Sequence, residues 1–156
     1  MPNKEKAKRP EDCQCDTCKG CCKFKPGWFK PGEAEKVAEF LKISLEELFT
    51  KHLMVDWWEA HIPVFILSPA VTKGSAGSEF PANPKGKCTF FKDGLCSIHP
   101  VKPFECGMAN HETTDNSYHR EAYLSWVDEK HQAQIEKLLG RKPIAAEYSL
   151  GMSLAW

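Results

Sequence analysis

Four cysteines stand within eight residues, Cys15, Cys18, Cys21 and Cys22, in the spacing C-x-x-C-x-x-C-C. No other feature of the chain restricts its folding so strongly. Two thiols separated by two residues turn inward on one loop and meet a single metal. Lys19 and Gly20, between two of them, suit backbone amides that face sulfur and screen its charge. Four thiolates this close repel one another unless a cation lies among them. The pattern points to a metal and raises the question of where further ligands come from.

A second, wider group answers it. In Cys-Thr-Phe-Phe-Lys-Asp-Gly-Leu-Cys-Ser-Ile-His, residues 88–99, Asp93-Gly94 between apolar flanks predicts a hairpin, because a tight primed turn needs positive φ at both central positions. That turn brings the backbones of Cys88 and Cys96 close. Cys106 follows a Pro-containing segment, 99–106, whose two prolines exclude a regular helix and can lead it back to the same place. Taken one at a time, these three read as buried core cysteines. Their placement around turns makes them candidate ligands, and a site fed by two loops about 65 residues apart is ordinary for a structural metal.

The rest of the chain frames these loops. Residues 1–12 read as a flexible lead-in, and residues 13–156 as a single domain. A helix is predicted over Glu33 to Ile43, with Ala34, Val37, Ala38 and Leu41 at helical spacing and Glu33 and Glu35 at its positive end. Ser44 opens a second helix as the N-cap of the capping box Ser44-Leu-Glu-Glu47, running through Leu48, Phe49 and His52. Ile62–Leu67 reads as a strand with Pro63 near its edge or start, and residues 72–87 as a long loop. A long helix is predicted from Ser117 to Leu139, closed by Gly140, with Tyr123, Trp126, Val127, Ile135, Leu138 and Leu139 on its apolar face. Pro143 suits the first position of a short final helix. The fold class is α+β: a small, metal-stabilised domain, mostly helical, with short strands and a β-hairpin.

Composition removes several function classes. With 42% hydrophobic and 27% charged residues, wholesale disorder is excluded. Lys plus Arg equals Asp plus Glu at 21 each, so the even charge balance argues against a protein devoted to nucleic acid. The polar opening MPNKEKAKRPED reads as no secretory signal, and the apolar run Ile62–Leu67 is too short to span a bilayer. A cytoplasmic location and no membrane partner are expected. There, eight cysteines are more readily explained by metal or redox chemistry than by disulfides. No nucleophile elbow, paired-carboxylate signature or dinucleotide fingerprint occurs, and Lys73–Ser78 lacks the spacing of a phosphate loop. No catalytic motif is recognised.

With both motifs in view, the chain resembles the CxxCxxCC cysteine-cluster family, the YkgJ-like proteins described as zinc- or iron-chelating domains. The resemblance covers about residues 13–107: the C-x-x-C-x-x-C-C run, two helices opening on Pro-Gly-Glu, then Cys88 through Cys106. It implies a cysteine-ligated metal, with Cys15, Cys18, Cys21, Cys22, Cys88, Cys96 and Cys106 as ligands. Some longer relatives in the family are flagellin lysine methylases, which suggests a component of a protein-modifying enzyme as one alternative. The chain departs from the family where arginines usually flank the last cysteine. It carries Lys102-Pro103 and Cys106-Gly107, and lysine does not reproduce an arginine fork.

The cofactor is expected to be an iron–sulfur cluster, such as [4Fe–4S], or zinc. The dense cysteine run, with no pair of closely spaced histidines, tilts the choice toward iron–sulfur and its redox or electron-transfer roles. Seven or eight thiolates, counting Cys13, exceed the four that one zinc or one cluster needs, so two sites, a shared thiolate and spare cysteines all stay open. His99 is a candidate ligand in a mixed site, against the plainer reading of a residue capping the hairpin. His111 and His119, with Glu112 and Asp115, are candidates to line a cleft near the metal, against a solvated role. Trp57-Trp58, Phe90-Phe91 and Trp126 read as core. The partners expected are a metal ion or cluster and, beyond it, a protein.

Overall fold

The computed structural model describes residues 26–59, 63–71, 76–79, 87–108 and 117–143. Along these run helices α1 (Glu33–Leu41) and α2 (Leu45–His52), strands β1 (Leu53–Glu59) and β2 (Pro63–Pro69), and the short strands β3 (Phe91–Lys92) and β4 (Leu95–Cys96). A 3-10 turn at His99–Val101 precedes α3 (Phe104–Met108), α4 (Tyr118–Leu124) and α5 (Glu129–Leu139). The α+β class is as the sequence predicts. The Cys15 to Cys22 cluster, the lead-in, His111 and the segment after Pro143 lie outside the described residues.

Both leading helices follow their local signals. In α1 the buried residues are Ala34, Val37 and Ala38, and the helix ends at Lys42, whose φ of 62° is left-handed. In α2 the Ser44 hydroxyl accepts the Glu47 N–H at 3.0 Å, as an N-cap should. Glu47 turns its carboxylate forward to Lys51 Nζ at 2.9 Å, one turn on.

α2 runs directly into β1, a strand that periodicity does not reveal. Leu53, Met54, Val55, Asp56 and Trp57 are all buried, so the apolar–polar alternation of a half-exposed strand is missing. β1 pairs antiparallel with β2 along its whole length, from Leu53↔Pro69 to Glu59↔Pro63. Pro63 occupies the first position of β2, where the lack of an N–H costs no ladder bond.

A two-stranded sheet exposes two edges, and both are covered here. Along β1, Val55 N donates to Ser78 O at 2.9 Å and Gly77 N to Leu53 O at 2.8 Å. Arg141 forks onto Glu79 and ties the end of α5 to the same strip. Along β2, Phe29 N donates to Leu67 O at 3.0 Å. Gln132 completes that edge from α5: its Oε1 accepts the Phe65 N–H at 3.0 Å and its Nε2 donates to Phe65 O at 2.9 Å.

The expected single helix over Ser117–Leu139 is two helices. The break falls at Ser125–Asp128, where Trp126 leaves the helical path and buries its indole to 1% exposure, donating Nε1–H to Phe29 O at 2.6 Å. Asp128, extended at φ −63° and ψ 141°, starts α5. One tertiary hydrogen bond from a core tryptophan outweighs the small local preference for continuing the helix. Gly140 closes α5 at φ 79°, as its C′ position predicts. The core joins α1, α2, the sheet, Cys88, Phe90, Ile98, Ala122, Trp126 and Ile135 in one cluster.

Gln132→Ala removes partners from Phe65 and from Trp126 O, which Gln132 Nε2 also reaches at 2.6 Å. The expected loss is about 1–3 kcal/mol, read as a lower midpoint in urea denaturation; an unchanged midpoint counts against this role.

Candidate metal centre

The hairpin that carries two of the candidate ligands forms as its turn residues dictate. Asp93 and Gly94 take φ of 51° and 78°, and Phe91 pairs with Cys96 and Lys92 with Leu95 around them. Cys88 stands at the base of one arm, in an antiparallel bridge to Val71, with Thr89 N donating to Ala70 O at 2.8 Å. Its side chain is buried, and its Sγ accepts the Phe90 N–H at 3.5 Å. Cys96 is half-buried on the other arm. The hairpin thus places both cysteines on one small unit anchored to the end of β2.

His99 opens the 3-10 turn that follows, half-buried, and its carbonyl accepts from Lys102. The two prolines act differently from one another. Pro100 sits inside the 3-10 turn, whereas Pro103 precedes the five-residue helix α3, which carries half-buried Cys106. A short helix after the second proline replaces the irregular segment expected there, since proline restricts the residue before it and leaves the residues after it unconstrained.

Gly27 lies against the start of α3. A Cβ there would stand 2.8 Å from Glu105 Cβ, 2.9 Å from the Cys106 amide nitrogen and 3.1 Å from Cys106 Sγ. Only a glycine lets the chain lie this close to Cys106. Gly27 is five residues beyond Cys22, a reach of at most about 18 Å of extended chain. Among the described residues, no three His, Cys, Asp or Glu side chains gather into a group able to hold a metal ion. Cys88, Cys96 and Cys106 are therefore not a complete site by themselves.

Three further residues that sequence reasoning passed over, Glu105, Trp28 and Asp56, shape this region, together with Glu33 at the start of α1. Glu105 is 3% exposed. Its Oε1 accepts the Trp28 N–H at 2.9 Å and its Oε2 meets His119 Nδ1 at 2.5 Å. Trp28 Nε1–H donates to Asp56 Oδ2 at 2.8 Å, and Asp56, 2% exposed, also takes its neighbour's amide, Trp57 N, at 2.7 Å. Glu33 Oε1 accepts both the Lys30 N–H at 2.7 Å and the Phe104 N–H at 2.9 Å, which pins the start of α1 to the start of α3. The available signal was Trp28-Phe29 between two Pro-Gly turns, K-P-G-W-F-K-P-G, an apolar pair held in a rigid loop.

Of the aromatics read as core, Trp57, Phe90 and Trp126 are buried, while Trp58 and Phe91 are half-buried and pack against the core. Trp58 stacks on Tyr123 with centroids 5.6 Å apart.

The chain is a small α+β domain with cysteines on a hairpin and on a short helix, and with Gly27 against the Cys106 of that helix. Residues 14–130 match the model of the CxxCxxCC domain, described as a "putative zinc- or iron-chelating domain", and the chain belongs to that family. Comparison with curated proteins and with solved structures gives no match. No helix among the described residues is long and apolar enough to cross a membrane.

Two outcomes follow. Gly27→Ala forces a methyl group against the Cys106 backbone, so it should cost about 1–3 kcal/mol in urea denaturation and lower the bound metal per chain measured by elemental analysis. Wild-type metal content and stability in this variant would dissociate Gly27 from the centre. His52 gives a pH dependence: burial, then Lys92 and Lys51, hold its pKa below 6.5 against the opposing pull of Glu47. The unfolded state therefore takes up the proton first, and stability falls as pH drops below about 6.5 until the folded-state pKa is passed. His52→Gln should flatten that part of the stability–pH curve, and an identical slope in the variant would refute it.

Proposed function

We propose that this chain is a thiolate metal-binding protein whose centre joins the N-terminal cysteine run to the 88–106 unit. Cys15, Cys18, Cys21 and Cys22 supply one side, and Cys88, Cys96 and Cys106 are the candidate ligands of the other. The observation that carries the reading is the approach of Gly27 to Cys106, which brings the end of the cysteine run within a few residues' reach of a second thiol. Family membership supports zinc or iron as the metal.

Soft thiolates suit zinc and iron–sulfur clusters alike. The density of sulfur favours a cluster, and a cluster would give the protein a redox or electron-transfer role. Zinc would give a structural module whose surface serves a protein partner. In both versions, metal binding closes a long loop between distant ligands and contributes to folding.

Anaerobic purification followed by absorption spectroscopy and analysis for iron, zinc and acid-labile sulfide tests the reading. A broad band at roughly 400 nm with matching iron and sulfide selects the cluster, and colourless protein with stoichiometric zinc selects the module. Protein that binds neither metal fails the proposal. Removing the metal with a chelator should lower the melting temperature by several degrees or more, and a melt that does not move argues against coupling to folding.

A further inference from the structure

His52 ends α2 and meets the base of the 88–99 hairpin. Its ring lies against Phe90, with centroids 5.4 Å apart and planes inclined by 36°. The backbone ties the same two places together through one residue. Ala70 N donates to His52 O at 2.8 Å, and Thr89 N donates to Ala70 O at 2.8 Å. One ring contact and a two-step chain of hydrogen bonds therefore hold the hairpin base to the end of α2. The bridge from Val71 to Cys88 lies in the same strip.

His52 Nδ1 is buried, and among the described residues it has no hydrogen-bond partner. A neutral imidazole fits such a place, because it can carry its hydrogen on Nε2 and leave only a lone pair at Nδ1. An imidazolium carries hydrogens on both nitrogens, so protonation points a new donor at no acceptor. Charge works in the same direction. Burial, then Lys92 on β3 and Lys51 on α2, oppose a cation at His52 and outweigh Glu47 on α2, which favours one. Leu53, Pro69 and Ala70, which adjoin it in the sheet, carry no charge. The carbonyl end of α2 also favours a cation, but that field acts on a ring turned out to solvent as well as on one seated against Phe90.

We propose that His52 is a proton-operated latch: as neutral imidazole it seats the hairpin base against the end of α2, and as imidazolium it turns outward and lets Thr89 part from Ala70. The latch is independent of the thiolate-centre reading. A seated ring binds its proton more weakly than a released one, so the open form gains as pH falls below about 6.5 and stops gaining once the seated ring itself is protonated.

Amide hydrogen exchange of the full chain by NMR, expressed as protection factors between about pH 7.5 and 5.5, tests the latch. The Thr89 amide should lose protection several-fold on acidification. That loss should not change with added low urea, since a local opening exposes little surface. His52→Phe keeps a ring against Phe90 without a proton site and should hold Thr89 protection constant with pH. His52→Gln should do the same from a lower starting level, and it carries the test if His52→Phe does not fold. Thr89 protection that ignores pH in the wild type, or an undiminished acid response in the folded variant, overturns the latch. So does an acid-induced loss that grows with urea in step with the Phe29 amide, which marks unfolding of the whole domain.

Discussion

Trp28 makes two hydrogen bonds on which the arrangement of the domain depends. Its amide serves Glu105 and its indole serves Asp56, and both carboxylates are almost fully buried. Removing a donor from a buried carboxylate destabilises it, so both acids favour the 26–33 segment where it lies, together with the Trp57 amide on Asp56 and the His119 ring on Glu105. Asp56 sits in mid-sheet on β1, and Glu105 on the helix that carries Cys106. The tryptophan therefore ties the sheet to the helix that carries Cys106. Low dielectric makes such a network rigid when complete and costly when broken.

The same segment also finishes the sheet. Phe29 offers its N–H to Leu67 and its carbonyl to the Trp126 indole, so one residue covers the β2 edge and explains the break between α4 and α5. Gln132 then occupies the adjacent edge position at Phe65. Lys30 extends the tie outward, with its ammonium 3.9 Å above the Phe104 ring and bonded to Glu121 at 2.5 Å. These exposed contacts are worth little individually. Their value is geometric, since they join α3 and α4, the two helices that carry Glu105 and His119.

Where a local signal has no tertiary rival, the sequence and the structure agree. The Ser44 cap, the Asp93-Gly94 turn, the Gly140 terminus and the first-position Pro63 all depend on one or two residues whose backbone chemistry decides the outcome. β1 escaped notice because it is covered on both faces and follows α2 with no turn residue between. The break in the Ser117–Leu139 helix was hidden because its cause, Phe29 O, lies about a hundred residues away. Cysteine spacing alone identified the candidate ligands. The acids that support the region were not legible, because a buried Glu and a solvated Glu look the same in sequence until their donors are known. Glu105 stood next to a motif cysteine, yet only the Trp28 amide and the His119 ring give it a role.

The relation between the metal and the core follows from where the ligands fall. The main hydrophobic cluster runs from Trp28 to Ile135 and contains one candidate ligand, Cys88, as an ordinary buried member. Cys96 packs against it, half-buried, and Cys106 is half-buried on α3. A core of this kind condenses on apolar burial and needs no cation in its middle. On the proposed reading, the metal acts outside the apolar interior, on the side where Gly27 meets Cys106. Its contribution is then the closure of a long loop and the neutralisation of clustered thiolates, added to a core that already has its own driving force. That division differs from a zinc finger, in which the metal stands in for a missing core. The buried acids belong to the same arrangement: Trp28 bonds both of them, and Gly27 beside it meets Cys106.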